Sequence, residues 1–449
     1  MNSDEYRELF QELVRAYYRD VFEEKINQLL SDQQVNRAEL SKVISVLCGV
    51  DVADSKTFSS DIKEAVENYI QNHRVVHRIR ACTLECVDVE GKTICQAACP
   101  FDAIFYDDNG QQQINEELCQ QCGNCVAHCK CGAVLDRKEF LPLAALLRQG
   151  EPVFAAVAPS IAGQFGENVT NNQLRTAFKS MGFKDMVEVA FFADMLTLKE
   201  ASEFNQKVLT KDDFLLSSCC CPVWTGMLKG KYYDLVKYSS PSISPMIASG
   251  RVMKALNPDI KVVFIGPCIA KKVEARDPEL KGAIDFVLTY RELGDIFAAL
   301  DIQPEDLPED VSPQYASRLG RMYGKVGGVS QSIYEAVKRL FPQKAELFSS
   351  RQANGAAECK ALLQEILEKG VEETFIEGMG CIGGCVGGPR VLLPVEDGTR
   401  HVEQYADEAL IRVRPNRRPY MEEILEGLGI YSFSDFTDPE KMQIFEREF

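Results

Sequence analysis

The chain has 449 residues and a net charge of −17, and this acidic balance argues against nucleic-acid binding. Apolar residues make up 45% and charged residues 26%, as in ordinary globular proteins of several domains. No apolar run is long enough for a membrane helix, and the acidic N-terminus lacks the apolar core of a signal peptide, so we expect a cytoplasmic protein with no membrane association.

Cysteine usage is the unusual feature of the composition. There are 17 cysteines and only 4 histidines. Disulfides are disfavoured in a reducing compartment, so this number of thiols indicates metal or redox chemistry. A set of ligands rich in thiolate and poor in imidazole favours iron and sulfur over zinc or copper.

Residues 1–77 are predicted to form a helical region. Apolar side chains keep helical spacing from Leu9 to Phe22, and shorter helices are expected over 41–48 and 59–70. Cys48 is isolated among apolar residues, which is typical of a core position. The sequence predicts a packing or docking module here.

Eight cysteines dominate the next region, residues 78–140. The second four have the spacing C-x2-C-x2-C-x3-C, in which three thiolates bind one cubane and the fourth reaches another. The first four are spaced more widely and are followed by Pro100. An apolar strand is expected after each set, at 103–106 and 132–135.

This pseudo-repeat resembles the two-cluster bacterial ferredoxin. The resemblance implies one 4Fe-4S cluster on Cys82, Cys86, Cys95 and Cys129. By the swapped ligation of that family, it implies a second 4Fe-4S cluster on Cys119, Cys122, Cys125 and Cys99. Lys130 departs from the proline usual after the last ligand, and we expect the spare Cys131 to be structural, like Cys359.

An α/β pattern begins after the cysteine-rich region. Apolar runs at 152–158 and 261–265 predict parallel strands, and helices are expected over 170–181 and 194–205 with Thr170 and Asp194 as N-caps. Ligands collect at the carboxyl ends of such strands. Residues 396–449 are expected to form a helical extension on the catalytic domain, with helices near 406–413 and 421–428.

Three loop segments carry the remaining thiols: 217–224 (SSCCCPVW), 266–272 (GPCIAKK) and 377–388 (EGMGCIGGCVGG). Glycine frees the backbone to wrap closely around a bulky inorganic group. In this order, after a ferredoxin-like region, the three segments resemble the signature loops of the FeFe hydrogenases. That resemblance implies a catalytic domain over 141–395, with parallel sheets flanked by helices.

The resemblance also implies an H-cluster, which is a 4Fe-4S cluster joined to a diiron centre with CO, cyanide and a bridging dithiolate. Its cubane ligands would be Cys221, Cys268, Cys381 and Cys385, with Cys385 as the bridge. Lys271 matches the lysine that hydrogen-bonds one cyanide, and the other cyanide would lie near Ala158, Pro159 and Ser160.

A proton path to the buried metal is implied by the same family. Cys220 aligns with the thiol that donates to the dithiolate amine, and Glu200 and Glu203 match the relay helix. These two carboxylates lie at i and i+3, on one helix face. Either Ser239 or Ser240 is expected to complete the path.

Several positions near this site depart from the usual family pattern. Gly266, just before Pro267, stands where a methionine is usual, and Met246 stands where a glutamine is usual. We hypothesise that Met246 refills part of the volume left at Gly266. Tyr323 replaces a phenylalanine, whereas Met379 keeps the usual methionine. The pattern resembles the group B branch more than group A.

Cys219 adds a third consecutive thiol to the first loop. It either fills a serine position or loosens the loop, so that Cys220 can reach the open iron under oxidising conditions. The resemblance as a whole implies a hydrogenase that exchanges electrons with a ferredoxin-like carrier and depends on maturation proteins. The alternatives are a hydrogen-sensing member and a hydrogenase-like iron–sulfur assembly factor without the diiron centre.

Overall fold

A computed structural model describes the chain over residues 1–32, 36–72, 74–82, 86–87, 91–108, 110–217, 220–411 and 419–449. Cys219, for which the sequence leaves two roles open, lies outside these ranges. No helix among the described residues combines the length and apolar character needed to cross a bilayer.

The N-terminal region is helical, as expected. Its four helices are α1 Ser3–Tyr18, α2 Phe22–Leu30, α3 Arg37–Leu47 and α4 Phe58–Glu67. The first begins with a capping box, because Asn2 accepts from the backbone of Asp4 and Glu5 and the Glu5 carboxylate bonds back to Asn2. Cys48 is fully buried in the core that these helices build, as predicted.

The cysteine-rich region forms a small α+β unit. Its elements are β1 Val76–Arg78, α5 Ile94–Ala97, β2 Ile104–Tyr106, β3 Gln112–Ile114, α6 Asn124–His128 and β4 Val134–Asp136. β1 pairs antiparallel with β4, and β2 pairs antiparallel with β3. The sequence did not predict β1, which begins within the region assigned to helices, because three residues give too short a pattern.

The remaining chain has an α/β architecture. Its first half contains α7 Phe140–Gln149, β5 Val153–Val157, α8 Asn171–Ser180, β6 Asp185–Glu188, α9 Val189–Lys207, β7 Leu215–Leu216, α10 Pro222–Lys229, α11 Pro245–Leu256 and β8 Lys261–Gly266. Its second half contains α12 Ala270–Glu274, β9 Phe286–Thr289, α13 Tyr290–Ala299, α14 Arg318–Met322, α15 Gly328–Leu340, β10 Ser350–Asn354, α16 Ala356–Lys369, β11 Phe375–Met379, α17 Val395–Asp407, α18 Pro419–Gly427 and α19 Pro439–Met442. Short 3-10 helices lie at Pro159–Ile161, Tyr233–Tyr238, Pro304–Asp306, Pro342–Leu347, Cys385–Gly387, Phe433–Thr437 and Gln443–Phe445.

Two parallel sheets organise this part. One has the strand order β6-β5-β8-β9, and the other has the order β10-β11-β7. Every pairing within them is parallel. The carboxyl ends of their strands therefore present several loops to a common region, as expected for a fold that binds a ligand there. The predicted fold class is confirmed.

The larger sheet is buried on both faces. Val157 and Ile265 face a core shared with the N-terminal helices, whereas Ala156 and Phe264 face a second core shared with α9 and α11. This alternation follows from the two-residue period of a strand. The N-terminal helices thus pack against one face of the larger sheet. The sequence alone does not predict this arrangement.

Buried ion pairs fix the segment that joins the cysteine-rich unit to the sheet. Asp136 is fully buried and pairs with Arg390 and Lys138. Glu139 accepts from Arg276 at 2.5 Å and from the backbone N–H of Val287 at 2.7 Å. Because removing one partner would leave a buried charge uncompensated, these pairs hold the two parts in one register.

Two predicted helix boundaries are wrong. Asp194 is not an N-cap, because α9 begins at Val189, directly after β6. Its carboxylate instead accepts from the backbone N–H of Ser317, the N-cap residue of the neighbouring helix α14, at 2.8 Å. The helix expected near 406–413 is also displaced: α17 ends at Asp407, and 412–418 lie outside the described residues. The Thr170 cap is confirmed by a full capping box.

Candidate functional site

Four loops that follow parallel strands converge on one region. Residues 158–160 follow β5 and residues 267–268 follow β8, in the larger sheet. Residues 217–221 follow β7 and residues 380–385 follow β11, in the smaller sheet. Because all four loops leave the carboxyl ends of their strands, segments far apart in sequence meet at one place.

The four cysteines expected to bind the cubane are half-buried and lie beside one another. Burial raises the pKa of Cys381 well above its ordinary value, and the nearby thiols of Cys268, Cys221 and Cys385 raise it further. Burial also raises the pKa of Cys268 to about 11, with Cys221 adding to the effect. Thiolates held this close repel one another. A bound metal cluster neutralises their charge and so stabilises the thiolate form.

Backbone N–H groups point at one of these sulfurs. Cys221 precedes α10, and the N–H groups of Trp224, Gly380 and Val223 favour its thiolate, although burial raises its pKa overall. The distance from the Gly380 nitrogen to the Cys221 sulfur is 3.3 Å. Such donors are the contacts that a cluster-bound thiolate accepts.

The donor set fits a cluster better than a single ion. Within the described part of the chain, no three His, Cys, Asp or Glu side chains are close enough together to hold one metal ion. A 4Fe-4S cluster takes its four thiolates on four different iron atoms and therefore spaces them apart. Four neighbouring thiols on three loops match this requirement.

The glycine-rich third loop packs against protein more closely than predicted. An added Cβ at Gly378 would lie 2.1 Å from the ring of Trp224, and one at Gly384 would lie 2.7 Å from the backbone nitrogen of Val326. Gly384 also has a φ of +88°, which side chains disfavour. Trp224 in turn donates from its indole nitrogen to the Ser217 carbonyl at 2.7 Å, so it clamps the first loop to the third.

A mostly apolar cavity adjoins Cys385. It brings together eight residues that the sequence assigned to the diiron centre, and these are Ala158, Pro159, Ser160, Cys220, Met246, Lys271, Tyr323 and Cys385. Phe264 and Gly324 line it as well. The described lining residues do not include Gly266, Pro267 or Met379. Any effect of these three on the cavity is therefore indirect, through the residues that line it.

Lys271 has a buried ammonium group at this cavity. Glu274 accepts from it at 2.6 Å, and burial, which would lower the pKa of Lys271, is outweighed by this carboxylate, so the pKa is raised. Burial would conversely raise the pKa of Glu274, but Lys271 and Arg447 hold it below its ordinary value. The contact with Glu274 uses one of the three N–H bonds of an ammonium, and such a cation can also donate to an anionic ligand.

The space beside Gly266 is filled from its own strand. An added Cβ at Gly266 would lie 2.4 Å from the ring of Phe264. Met246 lines the same cavity as Phe264. The Phe264 ring thus occupies the place of a side chain at 266, and the hypothesis that Met246 refills part of the volume stays a prediction.

Two buried carboxylates lead away from the cavity along α9. Glu200 has no exposed surface and accepts from the Ser217 hydroxyl at 3.2 Å. Glu203, one turn later, accepts from the Ser240 hydroxyl at 2.5 Å and pairs with Lys199. Of the two serines that the sequence left open, Ser240 makes this contact.

The cysteine-rich unit groups its thiols in two places. Burial raises the pKa of Tyr106, and Cys82, Cys95 and Cys86 lie close enough to add to the effect. Elsewhere burial raises the pKa of Cys125 well above its ordinary value, and the neighbouring thiols of Cys122, Cys119 and Cys99 raise it further.

Cys129, the fourth ligand that the resemblance implies for the first cluster, has a close neighbour. The sulfur of Cys129 lies 3.8 Å from that of Cys131, the spare cysteine. Gln112 donates to Cys95 at 2.9 Å, a contact that suits a bound thiolate.

The second thiol group abuts the four-cysteine site. Cys122 belongs to the same apolar cluster as Trp224, and Cys221 and Cys268 pack against that cluster. Gly123 has a φ of +84°, and an added Cβ there would lie 2.4 Å from the side chain of Ile269. The two sites therefore share a close protein contact across which electrons can pass.

Sequence reasoning missed four residues that complete the site: Lys199, Phe264, Glu274 and Arg447. A carboxylate three residues after a motif lysine is a readable helix signal for Glu274. Lys199 likewise stands four residues before Glu203, its partner on α9. Phe264 depends on the absence of a side chain at Gly266, whereas Arg447 depends on a long-range ion pair and lies outside every motif.

The profile described as "Iron only hydrogenase large subunit, C-terminal domain" matches residues 151–389, more than half of the chain. The NADP-reducing hydrogenase subunit HndD of Solidesulfovibrio fructosivorans is 26% identical over 330 residues, covering 62% of this chain and 56% of that protein. Iron hydrogenase 1 of Clostridium pasteurianum is 28% identical over 284 residues, covering 53% of this chain and 49% of that protein. The matches span about half the length of these two relatives.

A solved structure shows the same fold. A variant of the [FeFe]-hydrogenase HydA1 from Chlamydomonas reinhardtii superposes with a TM-score of 0.55 at 22% identity, covering 67% of this chain and 94% of that one. A more distant relative is a cytosolic Fe-S cluster assembly factor, narfl of Xenopus tropicalis, at 22% identity over 374 residues, covering 69% of this chain and 78% of that protein. The profile match decides between these relationships, and the chain belongs to the iron-only hydrogenase family.

Proposed function

We propose that this chain is an FeFe hydrogenase that catalyses the reversible reduction of protons to H2. The observation that carries the proposal is that Cys385, one of four neighbouring thiols, lines the same cavity as Lys271 and Cys220. When bound there, the H-cluster supplies the redox chemistry of 2H⁺ + 2e⁻ ⇌ H2. The chain's own residues hold it, exclude water and move protons.

Cys221, Cys268, Cys381 and Cys385 hold the cubane in this proposal. Cys385 is the bridging ligand, because among the described residues it is the one of these four that lines the cavity. Lys271 and the 158–160 loop hold the two cyanides. Ser160 is fully buried, and its hydroxyl lies 2.8 Å from that of Tyr290, which fixes the loop against α13.

Cys220 is the proton donor and acceptor at the cavity, and Glu200 and Glu203 are the next carriers. The hydrogen bonds of Ser217 to Glu200 and of Ser240 to Glu203 support this path. Carboxylates one helical turn apart on the same face of a helix lie close enough to exchange protons along it. The apolar remainder of the cavity keeps bulk water away from the reacting site.

Electrons reach the site through the cysteine-rich unit. We assign one 4Fe-4S cluster to Cys82, Cys86, Cys95 and Cys129 and a second to Cys119, Cys122, Cys125 and Cys99. The contact of Gly123 with Ile269 supports transfer from the second cluster to the cubane. A ferredoxin-like carrier is the proposed partner.

We also propose that the chain depends on hydrogenase maturation proteins and works in the cytoplasm. The described cysteines are free thiols, which is consistent with a reducing compartment.

Gly266 and Met246 support assignment to the group B branch. With Phe264 against Gly266, the cavity wall has an aromatic edge where group A members have a thioether. Such a change near the metal alters its potential. A hydrogen sensor is the second candidate function, because the altered wall suits detection as well as turnover.

An assembly factor without the diiron centre is the other alternative. Such a protein needs the cubane thiols but has no use for Lys271, whose buried cation faces the cavity. Cys220 at the same cavity and the buried carboxylates behind it point to proton transfer instead.

Infrared spectroscopy of protein produced with the maturation proteins tests the proposal, together with H2 evolution from reduced methyl viologen. We expect CO and cyanide bands and H2 formation from the parent, and we expect both to be lost in Cys385→Ala. Cys48→Ala, which alters a buried thiol in the N-terminal core, is the matched control and keeps both. Protein without these bands would exclude the hydrogenase function and favour the assembly factor.

A further inference from the structure

The last residues of the chain pack into the wall behind the site. Glu446 forms an antiparallel bridge with Ser242, and the backbone N–H of Arg447 donates to the Pro241 carbonyl at 2.8 Å. Phe445 is fully buried. The segment 443–449, here called the C-terminal tail, is therefore a fixed part of the fold.

Glu446 reaches a buried lysine beside the proton path. The ammonium of Lys199 lies 3.1 Å from the Glu446 carboxylate, pairs with Glu203 and donates to the Ser242 hydroxyl at 3.2 Å. An ammonium has three N–H donors, and these three contacts use all of them. Burial would lower the pKa of Lys199, but Glu203 and Glu446 outweigh it and raise the pKa.

Exposure differs sharply along this group. The side chain of Lys199 is 1% exposed and that of Glu203 10% exposed, whereas that of Glu446 is 30% exposed. The Ser240 hydroxyl donates to Glu203, and its oxygen lies 2.8 Å from the hydroxyl oxygen of Ser242. Direct contacts therefore connect the buried carboxylate of Glu203, through Lys199, to the partly exposed carboxylate of Glu446.

The next residue of the tail reaches the other side of the site. Arg447 pairs with Glu274 at 3.2 Å, and Glu274 is the carboxylate that holds Lys271. Arg447 also donates to the Ser242 carbonyl at 3.3 Å. Two consecutive residues therefore complete two buried charged groups, one on the proton path and one at the cavity.

We propose that Glu446 is the outer carboxylate of the proton path and exchanges protons with Glu203 through Lys199, while Arg447 is a positioning residue that anchors the tail. The inference rests on the proposed hydrogenase function. It gives the chain's C-terminal tail a role in proton transfer.

The transfer step conserves protons and charge. Lys199 first gives one of its protons to the Glu203 carboxylate, and the neutral amine that remains then takes the proton of protonated Glu446. Glu446 ends as a carboxylate, Lys199 as an ammonium and Glu203 as a carboxylic acid, and solvent then reprotonates Glu446. No electron moves, and the reverse sequence carries protons outward during H2 oxidation.

A neighbouring helix also holds the backbone at Glu446. Arg251 of α11 donates to the Glu446 carbonyl at 2.7 Å. This contact fixes the main chain from which the Glu446 side chain reaches Lys199.

The test compares Glu446→Gln with Glu448→Gln in fully matured protein. Both variants remove one carboxylate from the tail, but Glu448 is exposed and is not part of either buried group. We expect Glu446→Gln to lower the H2 evolution rate about tenfold, to raise the solvent isotope effect and to leave the KM for methyl viologen and the infrared bands unchanged. Added phosphate buffer should restore part of the rate, and Glu446→Asp should lie between parent and Gln.

Glu448→Gln should behave like the parent in all these measurements. Equal rates and isotope effects in the two Gln variants would overturn the inference while leaving the hydrogenase function intact. A parent without H2 evolution and without CO and cyanide bands would instead overturn the proposed function, and the inference with it.

A double-mutant cycle in the apoprotein gives a readout independent of activity. Glu446→Gln and Lys199→Met should show coupling of about tenfold in the unfolding equilibrium constant, whereas Glu448→Gln and Lys199→Met should show none. Absence of coupling in the first pair would also overturn the inference, because proton exchange needs the contact.

Discussion

The ring of Phe264 lies against the α-carbon of Gly266, 2.4 Å from where a Cβ would stand. The two residues face the same way because they are two apart on strand β8. A larger residue at 266 and an aromatic ring at 264 therefore exclude each other. The glycine and the phenylalanine are a matched pair that shapes the cavity wall.

Gly266→Ala should destabilise the apoprotein by about 1–3 kcal/mol, because the added methyl group overpacks a buried site. Phe264→Leu in the same chain should relieve most of this loss, which urea unfolding of the two single variants and the double variant measures. Gly294→Ala is the control, since a Cβ there lies 3.8 Å from its neighbours. Equal stability of Gly266→Ala and Gly294→Ala would contradict the packing.

Lys271→Met should block retention of the diiron centre while leaving the cubane. The variant removes the buried cation at the cavity, and Glu274 keeps Arg447 and Ser244 as partners. Contacts of this kind are worth about 10–100-fold in affinity, so we expect the infrared bands to fall at least about tenfold and the cubane electron paramagnetic resonance signal to stay. The exposed Lys338→Met serves as the control, and full bands in Lys271→Met would refute the assigned role.

Glu200→Gln should slow H2 evolution by about a hundredfold, because an amide keeps the hydrogen bond with Ser217 but cannot carry a proton. The infrared bands should not shift, since Glu200 is not among the described residues that line the cavity. Glu346→Gln removes an exposed carboxylate and should leave the rate unchanged. A Glu200→Gln rate equal to that of Glu346→Gln would remove Glu200 from the proton path.

His77 should make stability depend on pH. Burial and the adjacent Arg137 cation, 3.1 Å away, together lower its pKa to about 4. Since the unfolded chain binds this proton more readily, His77 contributes stability above its unfolded pKa and loses it as pH falls from about 6.5 toward 4. Between pH 7.5 and 5 the unfolding free energy of the parent should fall about 2 kcal/mol more than that of His77→Gln.

The exposed His128 provides the control for this experiment. His128→Gln should keep the pH dependence of the parent in urea unfolding. If His77→Gln and His128→Gln show the same pH dependence, the neutral buried form of His77 is not what links stability to pH.

Cys129 and Cys131 should differ in cluster binding although their sulfurs are 3.8 Å apart. Cys129→Ser should lose one 4Fe-4S cluster, and Cys131→Ser should keep all clusters, as measured by iron content and by electron paramagnetic resonance of the reduced protein. Loss of a cluster in Cys131→Ser alone would reverse the ligand assignment.

Much of the fold was predictable because its signals are local. The capping box at Thr170, the apolar runs of β5 and β8 and the cysteine spacings each lie within a few residues of one another. Asp194 misled the prediction because its carboxylate accepts from Ser317, 123 residues away in sequence, and does not cap its own helix. The position of the N-terminal helices over the sheet likewise depends on long-range packing.

The site residues also divide into those with a local sequence signal and those without one. Motif residues such as Cys220, Lys271 and Cys385 were found because the three loops carry them in order. Phe264 was missed because its role depends on a missing side chain two residues on, and Arg447 because nothing near it in sequence refers to Glu274. Packing and charge pairing across the chain supply what spacing cannot.

The infrared spectrum of the matured protein tests the central claim most directly. An H-cluster bridged at Cys385 predicts CO and cyanide bands in the parent that persist in Cys48→Ala and vanish in Cys385→Ala. A parent that carries all its cubanes but shows none of these bands would contradict the assignment of the cavity to a diiron centre.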